Sequence, residues 1–139
     1  MGYLDEYAES SWPYGKLVKA IAVALLVGLF AYAFYWLFFR NWREERQVDQ
    51  FLSLLEQRRY EQAYERWGCS VADPCRYYPY EEFLEDWGPG SPLGAVESYD
   101  LGRSYTQAKG VIVELAVNGQ KQPNLWVESD TGDISFFPY

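Results

Sequence analysis

The two cysteines are the residues of this chain whose type and spacing could do chemistry. Cys69 and Cys75 stand in the segment GCSVADPCRYYPY, and Asp73-Pro74 between them is a turn signal. The five intervening residues could bring the two sulfurs within bonding distance. We therefore predict a local disulfide, and the alternative is a pair of buried free thiols in a reducing compartment. Because a metal ion needs about four ligands, two cysteines without histidine predict no metal site.

Histidine is absent from all 139 residues, and its absence limits the chemistry available to the chain. Histidine is the commonest general base, the commonest metal ligand and the usual axial ligand of haem. The sequence also contains no glycine-rich phosphate loop and no CxxCH haem motif. Glu114 in a predicted strand could face a concave pocket, but we expect it on a solvated strand face, and Asp86 on a solvated helix face. We expect no catalytic residue, no cofactor and no enzymatic activity.

The chain is acidic, with a formal net charge of −8. Nucleic-acid binding needs clustered lysine and arginine, so we expect no nucleic-acid partner. Aromatic residues make up 19% of the chain, including thirteen tyrosines and six tryptophans. So large an aromatic share predicts that some of these rings lie in a membrane, at its interface or on a contact surface.

An uninterrupted apolar stretch, AIAVALLVGLFAYAFYWLFF, runs from residue 20 to residue 39, with Lys19 before it and Arg40 after it. At about 1.5 Å of rise per residue, a helix of this length crosses a hydrocarbon core about 30 Å thick. A cleaved signal peptide has a shorter apolar region, and so short a chain offers little that could wrap a buried soluble helix. We therefore predict a single transmembrane helix over residues 16–41, preceded by a short polar and aromatic tail, residues 1–15.

Small residues recur along one side of this predicted helix. Ala20, Ala24 and Gly28 repeat every four residues, and Ala31 lies close to them. Such spacing lets a second membrane helix approach closely, so we predict a helix–helix contact at these residues. The alternative is that alanine is simply common in membrane helices.

Aromatic residues crowd the second half of the stretch. Trp36 and Trp42 fit the belt of aromatic side chains at a membrane–water interface. Tyr32 and Tyr35 lie deeper, where their hydroxyl groups would favour a protein, pigment or lipid-headgroup partner.

Residues 42–139 are predicted to form one small α+β domain, with N-terminal helices packed on a curved antiparallel four-stranded meander. Apolar residues at helical spacing predict three helices, the third opened by Pro79 and stopped by Gly88-Pro89-Gly90. The apolar stripes of these helices are Val48, Phe51, Leu52 and Leu55, then Tyr60, Ala63, Tyr64 and Trp67, then Tyr80, Phe83, Leu84 and Trp87.

The apolar period then changes from helical spacing to two. This alternation predicts strands over residues 96–105, 111–117, 124–129 and 133–137. Asn118-Gly119 predicts a hairpin turn between the second and third strands, because both residue types tolerate a positive φ.

The soluble part resembles the nuclear-transport-factor-2-like domains of exported bacterial proteins. Their short x-Tyr-x-x-Ala-Tyr helix is matched by Tyr60, Ala63 and Tyr64, and their Tyr-x-x-Phe helix by Tyr80 and Phe83. The four predicted strands fit the sheet of that family in number and order. The resemblance implies a cone-shaped fold of helices on a curved sheet.

With one N-terminal span, this architecture is similar to scaffold subunits of type IV secretion and to small accessory subunits of energy-converting membrane complexes. The resemblance implies a non-catalytic single-pass subunit whose partners are larger integral membrane proteins and membrane lipid. The alternative is a membrane-anchored module that holds a small apolar molecule or lipid in the cone. A hydrolase or isomerase of the same fold is disfavoured because histidine is absent.

We expect the chain in the bacterial cytoplasmic membrane with its soluble domain in the periplasm. The predicted disulfide favours this oxidising side, and the domains that this chain resembles are exported to it. The basic residues slightly favour the opposite orientation, since Lys16 and Lys19 precede the stretch and Arg40, Arg43 and Arg46 follow it. Whole domains translocate with limited regard to their charge, so the periplasmic prediction is kept.

Overall fold

The computed structural model of the chain describes residues 13–138, and most of the predicted tail falls outside them. Helix α1 spans Pro13–Phe39. Its large apolar side chains are 48–70% exposed within the structure, on every side of the helix. Within the described residues, α1 belongs to the one helical stretch that is long and apolar enough to cross a membrane. The chain divides into two compact units, with the division between Arg40 and Asn41.

The second unit begins with three helices. They are α2 (Trp42–Glu56), α3 (Tyr60–Glu65) and α4 (Tyr80–Trp87). Helix α2 is amphipathic, and its apolar stripe at helical spacing is fully buried. Helix α4 begins after the extended residue Pro79 and ends at Gly88, whose backbone N–H donates to the Leu84 carbonyl.

One antiparallel sheet follows the helices. Its strands are β1 (Tyr99–Gln107), β2 (Gly110–Val117), β3 (Gln120–Lys121), β4 (Leu125–Glu128) and β5 (Ile134–Phe136). The order is β1-β2-β4-β5, and β3 pairs with the end of β2. The predicted α+β class and antiparallel sheet are confirmed, and the open sheet fits the predicted meander. The two-residue β3 is an addition to the four predicted strands, because it prolongs the hairpin that turns at Asn118-Gly119.

Asn118 explains why β1 begins at Tyr99 and not at the predicted residue 96. Its φ of 52° and the φ of 77° at Gly119 make the tight turn. The Asn118 side-chain oxygen accepts hydrogen bonds from the backbone N–H groups of Glu97 (2.8 Å) and Ser98 (3.1 Å). These two donors are therefore occupied by a side chain before the strand ladder starts.

The interface between the helices and the sheet is filled by side chains from both. Phe51 lies at its centre, with its ring edge-to-face against three others: Trp67 (centroids 6.0 Å apart), Phe83 (6.1 Å) and Trp87 (5.2 Å). The sheet contributes Val111, Val113, Leu115, Val117, Leu125, Val127 and Ile134, all buried. Such edge-to-face ring contacts add specific geometry to the burial of apolar area.

Truncation of Trp87 tests whether this packing holds the domain together. Trp87 is only 3% exposed, so Trp87→Ala should cost about 3–5 kcal/mol, the usual loss for a large buried aromatic side chain. The measurement is denaturant unfolding of the chain in mild detergent. Tyr77→Ala is the matched control, because that ring is 83% exposed and its loss should change stability by less than about 0.5 kcal/mol. Equal effects of the two variants would contradict the packing described here.

Candidate interaction surfaces

The small residues of α1 form a stripe that no other side chain of the described residues covers. Ala20, Ala24, Gly28 and Ala31 all lie on α1 and are all exposed. A Cβ atom added at Gly28 would meet no atom within 4 Å. The geometry therefore leaves room for a second helix, and the predicted contact stays a prediction.

The aromatic end of α1 is organised by contacts along the helix. The Tyr35 and Phe39 rings stack with centroids 5.5 Å apart. The Arg40 guanidinium lies 4.6 Å from the centre of the Trp36 ring. Because an arginine over an indole joins a cation to an amphipathic ring, this pair has the chemistry of a membrane interface.

The start of α2 is tied to β1 by a polar seam, which comprises Asn41, Glu45, Ser104 and Thr106. The Asn41 side-chain N–H donates to Ser104 Oγ (3.1 Å), and the Thr106 hydroxyl donates to Asn41 Oδ1 (2.9 Å). The Ser104 hydroxyl in turn donates to the Glu45 carboxylate. Asn41 precedes α2 as its N-cap, but its side chain makes no capping hydrogen bond, because it is used in the seam. Sequence patterns had given no sign of this network.

Tyr99 makes a further contact between β1 and α2. Its hydroxyl donates to Asp49 Oδ1 at 2.9 Å. Burial of the ring and the hydrogen bond to the negatively charged Asp49 raise the pKa of Tyr99 to about 12. The neutral hydroxyl is therefore the form that the folded chain stabilises.

This contact predicts a loss of stability at high pH. The pKa of Tyr99 is higher in the folded chain than in the unfolded one, so its contribution is complete below about pH 10 and is lost as the pH rises through about 12. The free energy of unfolding, measured from neutral pH upward, should therefore fall less steeply for Tyr99→Phe than for the wild type. Tyr77→Phe controls for the loss of one tyrosine. Identical alkaline profiles for wild type and Tyr99→Phe would contradict the assignment.

The predicted disulfide between Cys69 and Cys75 is confirmed, with Cα atoms 5.2 Å apart. Its loop is fastened to α3 by Tyr64, which is fully buried. The Tyr64 hydroxyl accepts the Cys75 backbone N–H at 2.9 Å and donates to the Tyr78 carbonyl at 2.7 Å. Periodicity had placed Tyr64 on an apolar helix face, and its hydroxyl partners lie too far along the chain for a local pattern to reveal them.

Asp86 and Glu114 each accept a hydrogen bond from a tyrosine hydroxyl. Asp86 accepts a hydrogen bond of 2.8 Å from the Tyr78 hydroxyl, and burial together with this carboxylate raises the pKa of Tyr78. Glu114 alternates along β2 with core residues, so it lies on the face of the sheet away from the helices. There it accepts a hydrogen bond from Tyr105 (3.4 Å).

An open surface groove of about 380 Å³ lies beside the end of α4. Trp87 and Phe136 line it, and their ring planes are nearly parallel, at 9°. Lys121 and Asp86 give it one charge of each sign. Aromatic and aliphatic side chains pack between the helices and the sheet.

Comparison of the chain with models of known protein families, with curated proteins and with solved structures found no match. The α+β architecture with an N-terminal apolar helix therefore rests on the structure itself.

Proposed function

We propose that the chain is a non-catalytic, single-pass accessory or scaffold subunit of a larger membrane protein complex. Helix α1 would be its span, and the α+β unit its docking domain. We assign the domain to the nuclear-transport-factor-2-like type, and the complex to an energy-converting or secretion type. Two features support the assigned domain type. Its helices precede its strands along the chain, and aromatic rings pack between the helices and the sheet.

The exposure of α1 carries the proposal. Seventeen large apolar side chains between Tyr14 and Phe39 are about half exposed or more. Burying each of them would be worth about 1.5–3 kcal/mol, so leaving them in water forgoes some tens of kcal/mol. The whole stability of a small domain is only about 5–15 kcal/mol. A helix that is apolar all round therefore needs lipid or other helices around it.

The filled interior of the domain supports docking over ligand storage. Phe51, Tyr64 and Phe83 are fully buried, and their rings touch one another or share neighbours across the helices. A cone that held a small apolar molecule or lipid would need space where these rings lie. A packed domain instead offers its outer surface to partners, and this favours the subunit function over the binding module.

The disulfide supports a domain on the oxidising, periplasmic side of a bacterial cytoplasmic membrane. Disulfides persist in such compartments and are rare in the reducing cytosol. The three arginines that follow α1 argue the other way, since basic residues prefer the cytoplasmic side. We give the disulfide more weight, because Cys69 and Cys75 are held at bonding distance by a buried hydrogen-bonded tyrosine.

Thiol labelling of membranes from cells that express the chain tests this orientation. Cys69 and Cys75 are its two cysteines, so a maleimide should label the denatured chain only after a reductant has been added. Labelling in intact spheroplasts by an impermeant maleimide after mild reduction would place the loop outside. Strong labelling without any reductant would contradict both the disulfide and the periplasmic orientation.

Replacement of small residues in α1 tests the subunit function. Ala24→Leu and Gly28→Leu should keep membrane insertion, because leucine is more apolar, but should block close approach of a second helix. After purification in gentle detergent, co-migrating membrane proteins should fall severalfold relative to wild type. Ala22→Leu is the matched control, because at 3.6 residues per turn Ala22 lies on the opposite side of α1. A wild-type chain that migrates alone would contradict the proposed function.

A further inference from the structure

Residues 40–49, which follow α1, contain three arginines and three acids. Two of the acids are hydrogen-bonded within the domain, since Glu45 accepts a hydrogen bond from Ser104 and Asp49 accepts one from Tyr99. Glu44 is only 9% exposed, and its Oε2 atom is buried without a hydrogen-bond partner among the described residues.

The arginines of this segment remain on the surface. Arg43 and Arg46 are both exposed on the first turns of α2, and neither forms an ion pair with a carboxylate of residues 13–138. The Arg46 guanidinium lies 5.1 Å from the centre of the Trp42 ring, and Trp42 is itself 47% exposed. One side of α2 thus presents two positive charges and a large amphipathic ring, and Trp42 and Arg46 share an open groove with Glu45 and Asp49.

Chain length alone keeps this cluster of Trp42, Arg43 and Arg46 close to the end of α1. Trp42 follows Phe39 by three residues, which extend at most about 11 Å. Arg46 lies four helical residues further, about 6 Å along α2. The headgroup layer on each side of the hydrocarbon is about 5–8 Å thick, and charges act over a Debye length of about 8 Å. Trp42 and Arg43 are therefore within electrostatic reach of headgroups, and Arg46 is at most about 17 Å from Phe39, near the limit of that reach.

We propose that Trp42, Arg43 and Arg46 form a binding site for the phosphate of anionic phospholipids. The inference rests on the proposed membrane span of α1. Guanidinium groups match phosphate oxygens in a bidentate way, and tryptophan rings favour the headgroup level. A lipid source is favoured over free phosphate because a bilayer holds its phosphodiesters at high local concentration. The neighbouring acids Glu45 and Asp49 would also repel a free dianion more strongly than a singly charged lipid phosphate.

Lipid retention by the full chain tests the site. The chain is reconstituted into nanodiscs of equimolar phosphatidylcholine and phosphatidylglycerol, and the lipids that stay bound on release are counted by native mass spectrometry. Each arginine near an anionic surface is worth about 1 kcal/mol, or about fivefold. Arg43→Gln/Arg46→Gln should therefore reduce the preference for phosphatidylglycerol by about 25-fold. The wild-type preference should also weaken as salt is raised, because salt screens exposed charges.

Arg59→Gln/Arg76→Gln is the matched control. It removes the same charge from exposed positions, and one of them, Arg76, also lies over an aromatic ring, that of Tyr77 (5.3 Å). This pair lies twenty or more residues beyond the end of α1 along the chain. The control should keep the lipid preference, and an equal loss in both double variants would overturn the site.

Three further results separate the possible failures. A chain that does not enter nanodiscs or float with vesicles would defeat the proposed span itself. An inserted chain with no phosphatidylglycerol preference, or with one insensitive to salt, would overturn this site alone. If Arg43→Gln/Arg46→Gln kept the preference but lost co-purifying proteins, the arginines would bind an acidic protein surface instead.

Should that variant fail to fold, Arg43→Lys/Arg46→Lys keeps the charge, and its preference for phosphatidylglycerol must remain salt-sensitive.

Discussion

The domain depends on one ring, Phe51, being taken out of water. Its edge-to-face contacts with Trp67, Phe83 and Trp87 join α2 to the segments that follow α3 and to α4. Neither α3 nor α4 is long enough to be stable alone, since isolated helices shorter than about 12–15 residues are marginal in water. Their helical state therefore follows from packing on α2, and the disulfide loop between them is positioned by the same contacts.

Helix α2 has three faces, and each has a separate role. Its apolar stripe packs into the core, its Asn41 and Glu45 side is hydrogen-bonded to β1, and its Arg43 and Arg46 side is exposed. Because the first two faces hold the helix in a fixed rotation, the third is presented in a defined direction relative to the sheet. A short turn at residues 40–41 connects α1 to α2. The first element after the apolar segment is therefore the helix that packs into the core and is hydrogen-bonded to β1.

Periodicity predicted the elements well because each follows a local rule: apolar residues three and four apart for α2, alternation for β2, and a glycine after α4. The same sequence could not predict the polar contacts, because their partners lie far apart along the chain. Asn41 bonds to Thr106 across 65 residues, and Tyr64 to Cys75 across 11. The early limit of the predicted β1 was wrong for the same reason, since only the folded chain brings Asn118 to the backbone of Glu97.

The disulfide favours a domain on the periplasmic side, whereas the arginines after α1 favour the cytoplasmic side. The position of the arginines bears on whether the two features are compatible. Basic residues next to a span tend to keep their segment on the cytoplasmic side during insertion. If the domain nevertheless crosses to the oxidising side, Arg43 and Arg46 are there in spite of the insertion bias. Contact with anionic headgroups would then give these exposed arginines a role after insertion. The two features are therefore compatible if the arginines serve contact rather than orientation.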